Sequence, residues 1–323
     1  MKDSYGREIN YLRLSITDRC NFRCRYCMPE EGIEKSPHEE VLSFEEIAKL
    51  VSAAASLGVS KVRLTGGEPT TRVELPELVR MLDEIDGIEE ISMTTNGSSL
   101  AERAEELARA GLARVNVSLD AIDPEKFRKI TRGGEVGPVL EGIRAAKEAG
   151  LTPVKLNAVV IKGVNDTEIL PLVEYAVESG VVLRFIELMP MGEVAEEDME
   201  LVPLKEVRRT IEGEWDLEAD SGPKGSGPAS YYRVRQDNAS GTIGLIFPIS
   251  KSFCSGCNRF RVTSKGSVRP CLARDEQYEL DFTSSTPVKE LSEQLARIMK
   301  KKPRGHQWEE EEATCGEMSE IGG

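Results

Sequence analysis

The sequence of 323 residues predicts an α/β fold, an incomplete (β/α)6 barrel of the TIM type closed by a smaller C-terminal domain. Three observations support this fold class. Short runs rich in Val, Ile and Leu alternate with segments of helical periodicity, about six times, and several helical segments end in glycine. The alternation fades after residue 191. We therefore expect one domain over 1–220 and a second over 221–323.

The strands are predicted from their β-branched and apolar content at 11–17, 61–66, 90–96, 113–120, 153–160 and 181–189. Helical periodicity covers 43–57, 75–85, 100–110, 136–149 and 167–179. The first helix opens on a capping box formed by Ser43 and Glu46. Glycine, the favoured residue just after a helix, follows four of them, at Gly58, Gly111, Gly150 and Gly180. Alternating elements of this kind form parallel β/α units, in which functional groups gather at the strand ends.

Composition and charge exclude some classes of protein. The net charge of −14 and the isoelectric point near 4.9 argue against a general nucleic-acid surface, which requires a basic footprint. The first eight residues are polar and lack the apolar segment of a secretory signal, and no run is long enough to span a bilayer. We expect a cytoplasmic protein in which reducing conditions keep the seven cysteines free for metal.

The first set of cysteines directly follows the first predicted strand. Cys20, Cys24 and Cys27 have C-x3-C-x2-C spacing. Three thiolates can hold three irons of a [4Fe-4S] cluster and leave the fourth iron open, which suits catalysis. A disulfide framework is disfavoured by the length of the chain and the odd number of cysteines. A structural zinc site would need a fourth ligand, and the loop contains none.

A second set of cysteines lies in the C-terminal region. Cys254, Cys257 and Cys271 again provide three thiols without a near fourth. The alternative is a zinc ribbon completed by His306 or Cys315. If the C-terminal domain closes the open barrel, two clusters with one open iron each would face each other.

The predicted strand ends and strand interiors carry unusual polar residues. A Gly66-Gly67-Glu68-Pro69 turn follows the second strand, 94–97 closes the third and 116–120 the fourth. Cations lie inside strands, where a charge is costly unless it is paired or faces a wet cavity. Two groups could balance these charges: the carboxylate of Glu187 or a bound polyphosphate. These cations are Arg13, Lys61, Arg63, Lys155 and Arg184.

The first cysteine loop, with the aromatic Tyr26 before its last cysteine, resembles the signature of the radical S-adenosylmethionine superfamily. The Gly-Gly-Glu-Pro turn resembles a second motif of that superfamily, which contacts the amino group of S-adenosylmethionine. The resemblance implies that the open iron chelates S-adenosylmethionine and that an electron from the cluster splits it to give a 5'-deoxyadenosyl radical.

Nearly the whole chain resembles one family, the GTP 3',8-cyclases of molybdenum-cofactor biosynthesis. The matching stretches are 12–20, 94–97, 184–192, 254–261 and 321–323. The resemblance implies two [4Fe-4S] clusters and conversion of GTP to 3',8-cyclo-7,8-dihydro-GTP, by abstraction of the ribose C3' hydrogen and attack on guanine C8. The second cluster would bind the guanine, and the Gly322-Gly323 end would reach into the active site.

The resemblance also assigns individual contacts. Those to S-adenosylmethionine fall on Tyr26, Gly67, Ser118 and Met189. Those to GTP fall on Arg13, Arg63, Thr94, Lys155, Arg259, Phe260 and Arg261. The expected partners besides GTP are cyclic pyranopterin monophosphate synthase as the next enzyme and a low-potential electron donor. A homodimer is compatible with the sequence, which does not determine the oligomeric state. One departure is Thr70-Thr71, where the family usually has two apolar residues.

Two other functions remain open from the sequence. Another radical S-adenosylmethionine enzyme with an auxiliary cluster, such as a peptide-maturing one, would also have two cysteine sets, but it would not need so many cations in its strands. A non-enzymatic iron-sulfur or zinc protein would not explain the Gly-Gly-Glu-Pro turn.

Overall fold

The computed structural model describes residues 1–191, 199–223, 227–283, 285–306 and 308. Its strands are β1 Tyr11–Ser15, β2 Lys61–Thr65, β3 Glu90–Thr95, β4 Arg114–Ser118, β5 Lys155–Val160, β6 Val182–Glu187, β7 Asp216–Asp220, β8 Ser230–Gln236, β9 Ala239–Ile246, β10 Arg259–Val262 and β11 Val268–Arg269. Its α-helices are α1 Phe44–Ser56, α2 Leu75–Asp83, α3 Leu100–Arg109, α4 Pro124–Thr131, α5 Val136–Glu148, α6 Ile169–Ser179, α7 Leu204–Glu212 and α8 Val288–Met299.

The described strands form one sheet in the order β11-β10-β1-β2-β3-β4-β5-β6-β9-β8-β7. Strands β1 to β6 are parallel neighbours in chain order, each inside its predicted range. The order is linear, with β11 and β7 as its edges, so the sheet does not close on itself. The predicted incomplete six-unit barrel is confirmed.

All five predicted helices are present, and they correspond to α1, α2, α3, α5 and α6. Ser43 and Glu46 form the expected capping box at α1. The glycines that follow α1, α3, α5 and α6 have positive φ angles, which glycine adopts without steric cost. Helix α4 was missed because it has only eight residues, half of them charged. It begins where the Asp123 side chain accepts a hydrogen bond from the Lys126 backbone nitrogen.

The C-terminal strands extend the barrel sheet on both sides, which the sequence did not reveal. Strand β9 pairs in parallel with β6, and β10 pairs in parallel with β1. Strand β7 ends at Asp220 and pairs with β8, so the sheet continues across the expected domain boundary. The division into 1–220 and 221–323 stays a prediction.

Alternation along β1 separates the core from the barrel interior. Leu12 and Leu14 are fully buried and belong to the hydrophobic core. Tyr11 and Arg13 therefore face the opposite side, toward the cavity that both residues line. None of the helices in the described ranges has the length and apolar character needed to cross a membrane.

Candidate functional site

A cavity of about 340 Å³ inside the barrel is lined by every cysteine, cofactor and nucleotide contact predicted from the sequence. The six described cysteines line it, and none of them forms a disulfide. The expected contacts to cofactor and nucleotide line the same cavity. The structure thus brings the residues of both cysteine sets and both contact sets together in one cavity.

Three arginines lie side by side across the cavity wall. In the strand register, Arg13 is the direct neighbour of Arg261 on β10 and of Arg63 on β2. Arg63 and Arg261 are buried, with exposed fractions of 3% and 6%. Burial and the neighbouring cations lower the pKa of Arg13 well below its usual range. Like charges in adjacent positions of a sheet repel each other, so this row is adapted to an anion.

The pKa of Tyr11 shows the effect of these arginines on a neighbouring group. Its hydroxyl accepts a hydrogen bond from Arg63 Nε. Burial alone would raise the pKa of Tyr11, but Arg63 and Arg13 outweigh it and lower the pKa to about 8. The Nη1 of Arg63 also lies 3.4 Å from Thr94 Oγ1, which connects the row to the end of β3.

The cationic wall continues on β5 and β6. Burial, followed by repulsion from Arg114 and Arg184, lowers the pKa of Lys155 to about 7. Arg184 donates to Asn157 Oδ1 at 2.5 Å. Within the described ranges, Arg13 Nε, Arg184 Nε and Asn116 Oδ1 are buried without a hydrogen-bond partner. Buried polar atoms are normally satisfied, so these three fit a polar ligand in the cavity.

Glu187 does not pair with these cations, contrary to the alternative raised from the sequence. Its carboxylate accepts hydrogen bonds from the backbone nitrogens of Ile249 and Ser250, at 3.1 and 3.0 Å, and from the Ser250 hydroxyl. Glu187 therefore positions the loop that follows β9.

The Gly66-Gly67 turn holds the segment that leads into the first cysteine loop. The Gly67 nitrogen donates to Thr17 O, and the Glu68 nitrogen donates to Arg19 O, both at 2.8 Å. A Cβ on Gly67 would lie 2.3 Å from Arg19 O, so a larger residue cannot occupy this position. Glycine is therefore required at this position by the close approach of the backbone at Arg19, and not only by a ligand.

The other side of the cysteine loop is held by the helix that the sequence did not predict. The backbone nitrogens of Arg23 and Arg25 donate to the carbonyl oxygens of Thr131 and Ile130, both at 3.0 Å. These carbonyls belong to the last turn of α4, where helical carbonyls lack partners within the helix. The C-terminus of α4 thus helps to fix the spacing of the thiols.

Tyr26 connects this loop, through Asp120, to the segment that follows β4. The Tyr26 hydroxyl donates to Asp120 Oδ2 at 2.7 Å, and Asp120 Oδ1 accepts from the Val159 nitrogen at 2.8 Å. Burial raises the pKa of Asp120 to about 6. Burial, with Asp120 beside it, raises the pKa of Tyr26 well above its usual range. Tyr26 therefore stays a hydrogen-bond donor at neutral pH.

Glu68 explains why a polar residue can stand at position 70. Its buried carboxylate accepts from the nitrogen and hydroxyl of Thr70, at 3.0 and 2.6 Å, and from the Thr95 hydroxyl at 2.7 Å. It also accepts from the Asn96 nitrogen at 2.6 Å. Burial raises the pKa of Glu68, and these donors oppose the shift. Thr70 thus supports the Gly-Gly-Glu-Pro turn.

We expect Thr70→Val to lower the free energy of unfolding by about 1–3 kcal/mol, because a buried carboxylate loses a donor. Thermal or urea denaturation measures the loss. Thr71→Val is the matched control, since the exposed Thr71 hydroxyl donates only to backbone carbonyls, chiefly Glu68 O at 2.7 Å. Equal losses in the two variants would contradict this role of Thr70.

The second cysteine set is anchored by two cations that the sequence gave no reason to single out. Arg7, paired with Asp3 at 2.5 Å, donates to Cys254 O at 2.8 Å. Lys302 is 3% exposed and donates to Arg259 O at 2.7 Å and to Pro270 O. In the sequence Lys302 ends a run of three lysines that looks like an ordinary solvated surface.

Each of the two sets supplies three of the sulfur donors that iron-sulfur clusters take. Burial raises the pKa of Cys257, but the nearby charges of Arg259 and Lys302 outweigh burial and lower the pKa to about 7. A lowered pKa favours the thiolate that metals bind. Burial raises the pKa values of Cys20, Cys24 and Cys271, so these residues would be thiolates at neutral pH only with a bound cation beside them.

Comparisons with known proteins agree with this site. Residues 14–176 match the model of the radical SAM superfamily, and residues 181–308 match the model named Molybdenum Cofactor Synthesis C. The chain is therefore a radical S-adenosylmethionine protein. It is 46% identical over 325 residues to the GTP 3',8-cyclase of Moorella thermoacetica and 42% identical over 333 residues to that of Listeria welshimeri, covering all of this chain and at least 99% of each relative. The chain belongs to the GTP 3',8-cyclase family.

Solved structures share the fold at low sequence identity. Native anSMEcpe with bound AdoMet and a Cp18Cys peptide has a TM-score of 0.56 at 18% identity, over 90% of this chain and 83% of that chain. Streptococcus suis SuiB bound to precursor peptide SuiA has a TM-score of 0.58 at 16% identity, over 82% of this chain and 60% of that chain. These likenesses support the partial barrel alone.

Two sequence expectations fall on residues outside the described ranges. The Gly322-Gly323 end, expected to enter the active site, is one, and Cys315, considered as a zinc ligand, is the other. Both stay predictions.

Proposed function

We propose that this chain converts GTP to 3',8-cyclo-7,8-dihydro-GTP, the first step of molybdenum-cofactor biosynthesis. The proposal assigns Cys20, Cys24 and Cys27 to a first [4Fe-4S] cluster that binds S-adenosylmethionine. It assigns Cys254, Cys257 and Cys271 to a second [4Fe-4S] cluster. The observation that carries the proposal is the arginine row of Arg13, Arg63 and Arg261, which lies in one cavity with both thiol sets.

The residues around the cavity divide the work of binding. The arginine row, with Lys155 and Arg259, holds the triphosphate, because guanidinium groups match phosphate oxygens in bidentate fashion. Thr94 and Phe260 complete the nucleotide contacts. Tyr26, Gly67, Ser118 and Met189 orient S-adenosylmethionine. When bound, the first cluster and S-adenosylmethionine would supply abstraction of the ribose C3' hydrogen. The C3' radical would add to guanine C8 and open its double bond to N7, and one electron from the reductant and one proton would complete the 7,8-dihydro product. The protein contributes positioning, which is the main requirement of such a reaction.

Anaerobic incubation of the iron-loaded protein with GTP, S-adenosylmethionine and a reductant tests the proposal. We expect 5'-deoxyadenosine and the cyclised nucleotide in equal amounts, measured by liquid chromatography and mass spectrometry. Deoxyadenosine without any change in GTP would instead favour another radical S-adenosylmethionine enzyme, such as a peptide-maturing one. Absence of both products would favour the non-enzymatic alternative.

Lys155 should make GTP binding depend on pH. Its pKa is about 7 in the free protein, and a bound triphosphate would raise it. GTP affinity should therefore be constant below pH 7 and fall above it, by at most about tenfold per pH unit. Calorimetric titrations from pH 7 to 8.5 measure the slope. In Lys155→Arg the cation stays charged, so only the shallower loss from ionisation of Tyr11, whose pKa is about 8, should remain; an unchanged slope would assign the effect to another group.

The proposal extends to partners and location. Cyclic pyranopterin monophosphate synthase would consume the product, and a low-potential donor would supply electrons to the first cluster. A cytoplasmic location suits free thiols and a GTP substrate. The net charge of −14 gives no basis for a nucleic-acid partner, because binding to phosphate backbones requires a positively charged surface. Sedimentation of the iron-loaded protein would determine whether it forms a homodimer.

A further inference from the structure

His306 has an unusual environment at the second cysteine set. Within the part of the chain that the structure describes, its Nδ1 and Nε2 are both shielded from solvent and both lack a hydrogen-bond partner. A neutral imidazole has one donor and one acceptor nitrogen, and leaving both unsatisfied away from water is costly. Such an arrangement points to a ligand that binds a ring nitrogen.

The position of His306 identifies the kind of ligand. The residue lines the same cavity as Cys254, Cys257 and Cys271. The chain passes beside the first of these thiols, since a Cβ on the preceding Gly305 would lie 3.7 Å from Cys254 Sγ. The imidazole ring stacks on Trp308, with ring centroids 4.9 Å apart and an angle of 29° between the planes. Stacking restricts the orientation of the ring.

The segment before His306 is tied to the loops that carry the thiols. Arg7 donates to Pro303 O at 2.5 Å and to Arg304 O at 3.0 Å, and the same guanidinium donates to Cys254 O at 2.8 Å. Lys302 bridges Arg259 O and Pro270 O, which flank the other two cysteines of the set. These bonds hold the approach to His306 at a fixed place relative to all three thiols.

We propose that His306 is the fourth protein ligand of the second cluster in the nucleotide-free protein, and that GTP displaces it. The inference rests on the two-cluster function proposed above. Three cysteines leave one iron of a [4Fe-4S] cluster without a protein ligand, and histidine replaces cysteine as an iron ligand in some iron-sulfur proteins. Imidazole is also a common metal ligand in its neutral form.

The exchange transfers no electron. One nitrogen-iron bond to His306 breaks, the lone pair stays on the imidazole, and one bond from the guanine base to the same iron forms. The second cluster would thus be protected from water and adventitious thiols until substrate arrives. Because His306 and GTP compete for one iron, removing the imidazole should strengthen GTP binding.

Pulsed electron paramagnetic resonance with ¹⁵N-labelled histidine tests the ligand directly. The Cys24→Ala background leaves the reduced second cluster as the paramagnetic centre. We expect a histidine nitrogen coupling without GTP that is lost when GTP is added. The chain has two histidines, so His306→Ala should abolish the coupling and His38→Ala should keep it.

GTP affinity gives a second readout. His306→Ala should bind GTP severalfold more tightly than the parent, whereas His38→Ala should bind it equally. Weaker binding in His306→Ala would overturn the proposal and make the imidazole a hydrogen-bond partner of the base. A second cluster with about four irons and no histidine coupling would also overturn it, while leaving the two-cluster function intact. A second site without iron would instead refute the proposed function.

Discussion

Cys24→Ala should abolish the cleavage of S-adenosylmethionine, whereas Cys257→Ala should leave that cleavage at least partly intact and abolish the cyclised product. The two thiols belong to separate sets held by separate contacts, the first by the Gly66-Gly67 turn and α4, the second by Arg7 and Lys302. Each variant should retain one cluster, so its iron content should fall from about eight to about four per chain. Iron analysis and product quantification on the same samples measure both effects.

Cys315→Ala is the matched control, because Cys315 belongs to neither set. It should keep about eight irons and full product formation. Cyclised product from Cys257→Ala, or stoichiometric zinc at the second set of the parent protein, would contradict the two-cluster assignment. The second result would support the zinc ribbon that spacing alone left open, completed by His306 or Cys315.

The barrel could be predicted because its signals are local. Each of the strands β1 to β6 is a short apolar run, and helix ends are marked by a capping box or by glycine, so no long-range information is needed. The C-terminal strands lack such a signal. Whether β9 and β10 extend the barrel sheet or form a separate one depends on pairings with β6 and β1, which are distant in sequence.

The candidate site divides in the same way. The cysteine sets and the cations in the strands were predicted, because thiol spacing and charged residues within apolar runs are visible in the sequence. The register that makes Arg261 the neighbour of Arg13 was not, since it arises from the pairing of β1 with β10. Lys302 and Arg7 were also missed, because each acts through backbone carbonyls, and any lysine or arginine near the surface looks the same in a sequence.

Glu187 shows why the function of a charged residue cannot be read from its place in a strand. The sequence placed it next to Arg184 on β6 and so offered it as a counter-ion. In the folded protein its carboxylate is occupied by the nitrogens of Ile249 and Ser250, in a loop that no local pattern connects with β6. Arg13, Arg63 and Arg261 lie in adjacent register positions, and like charges placed in this way are destabilising in the absence of an anion.

Arg13→Met should therefore raise the stability of the GTP-free protein while strongly weakening GTP binding. Arg13 lies between Arg63 and Arg261, and its Nε lacks a partner in the described ranges. Methionine preserves an unbranched side chain and removes one of three adjacent like charges, so the thermal midpoint should rise. Loss of a charge-assisted phosphate hydrogen bond should cost about 1.5–3 kcal/mol of binding free energy, on the order of 10- to 100-fold in GTP affinity.

Arg109→Met serves as the control for this trade-off. Arg109 lies on α3 with 71% of its side chain exposed, at 3.9 Å from Glu105, and exposed ion pairs contribute little. It should change neither the midpoint nor the affinity. A lower midpoint in Arg13→Met together with unchanged GTP affinity would show that the arginine row serves the fold. A higher midpoint together with weaker GTP binding would show that the arginine row destabilises the folded protein and serves to bind the anion.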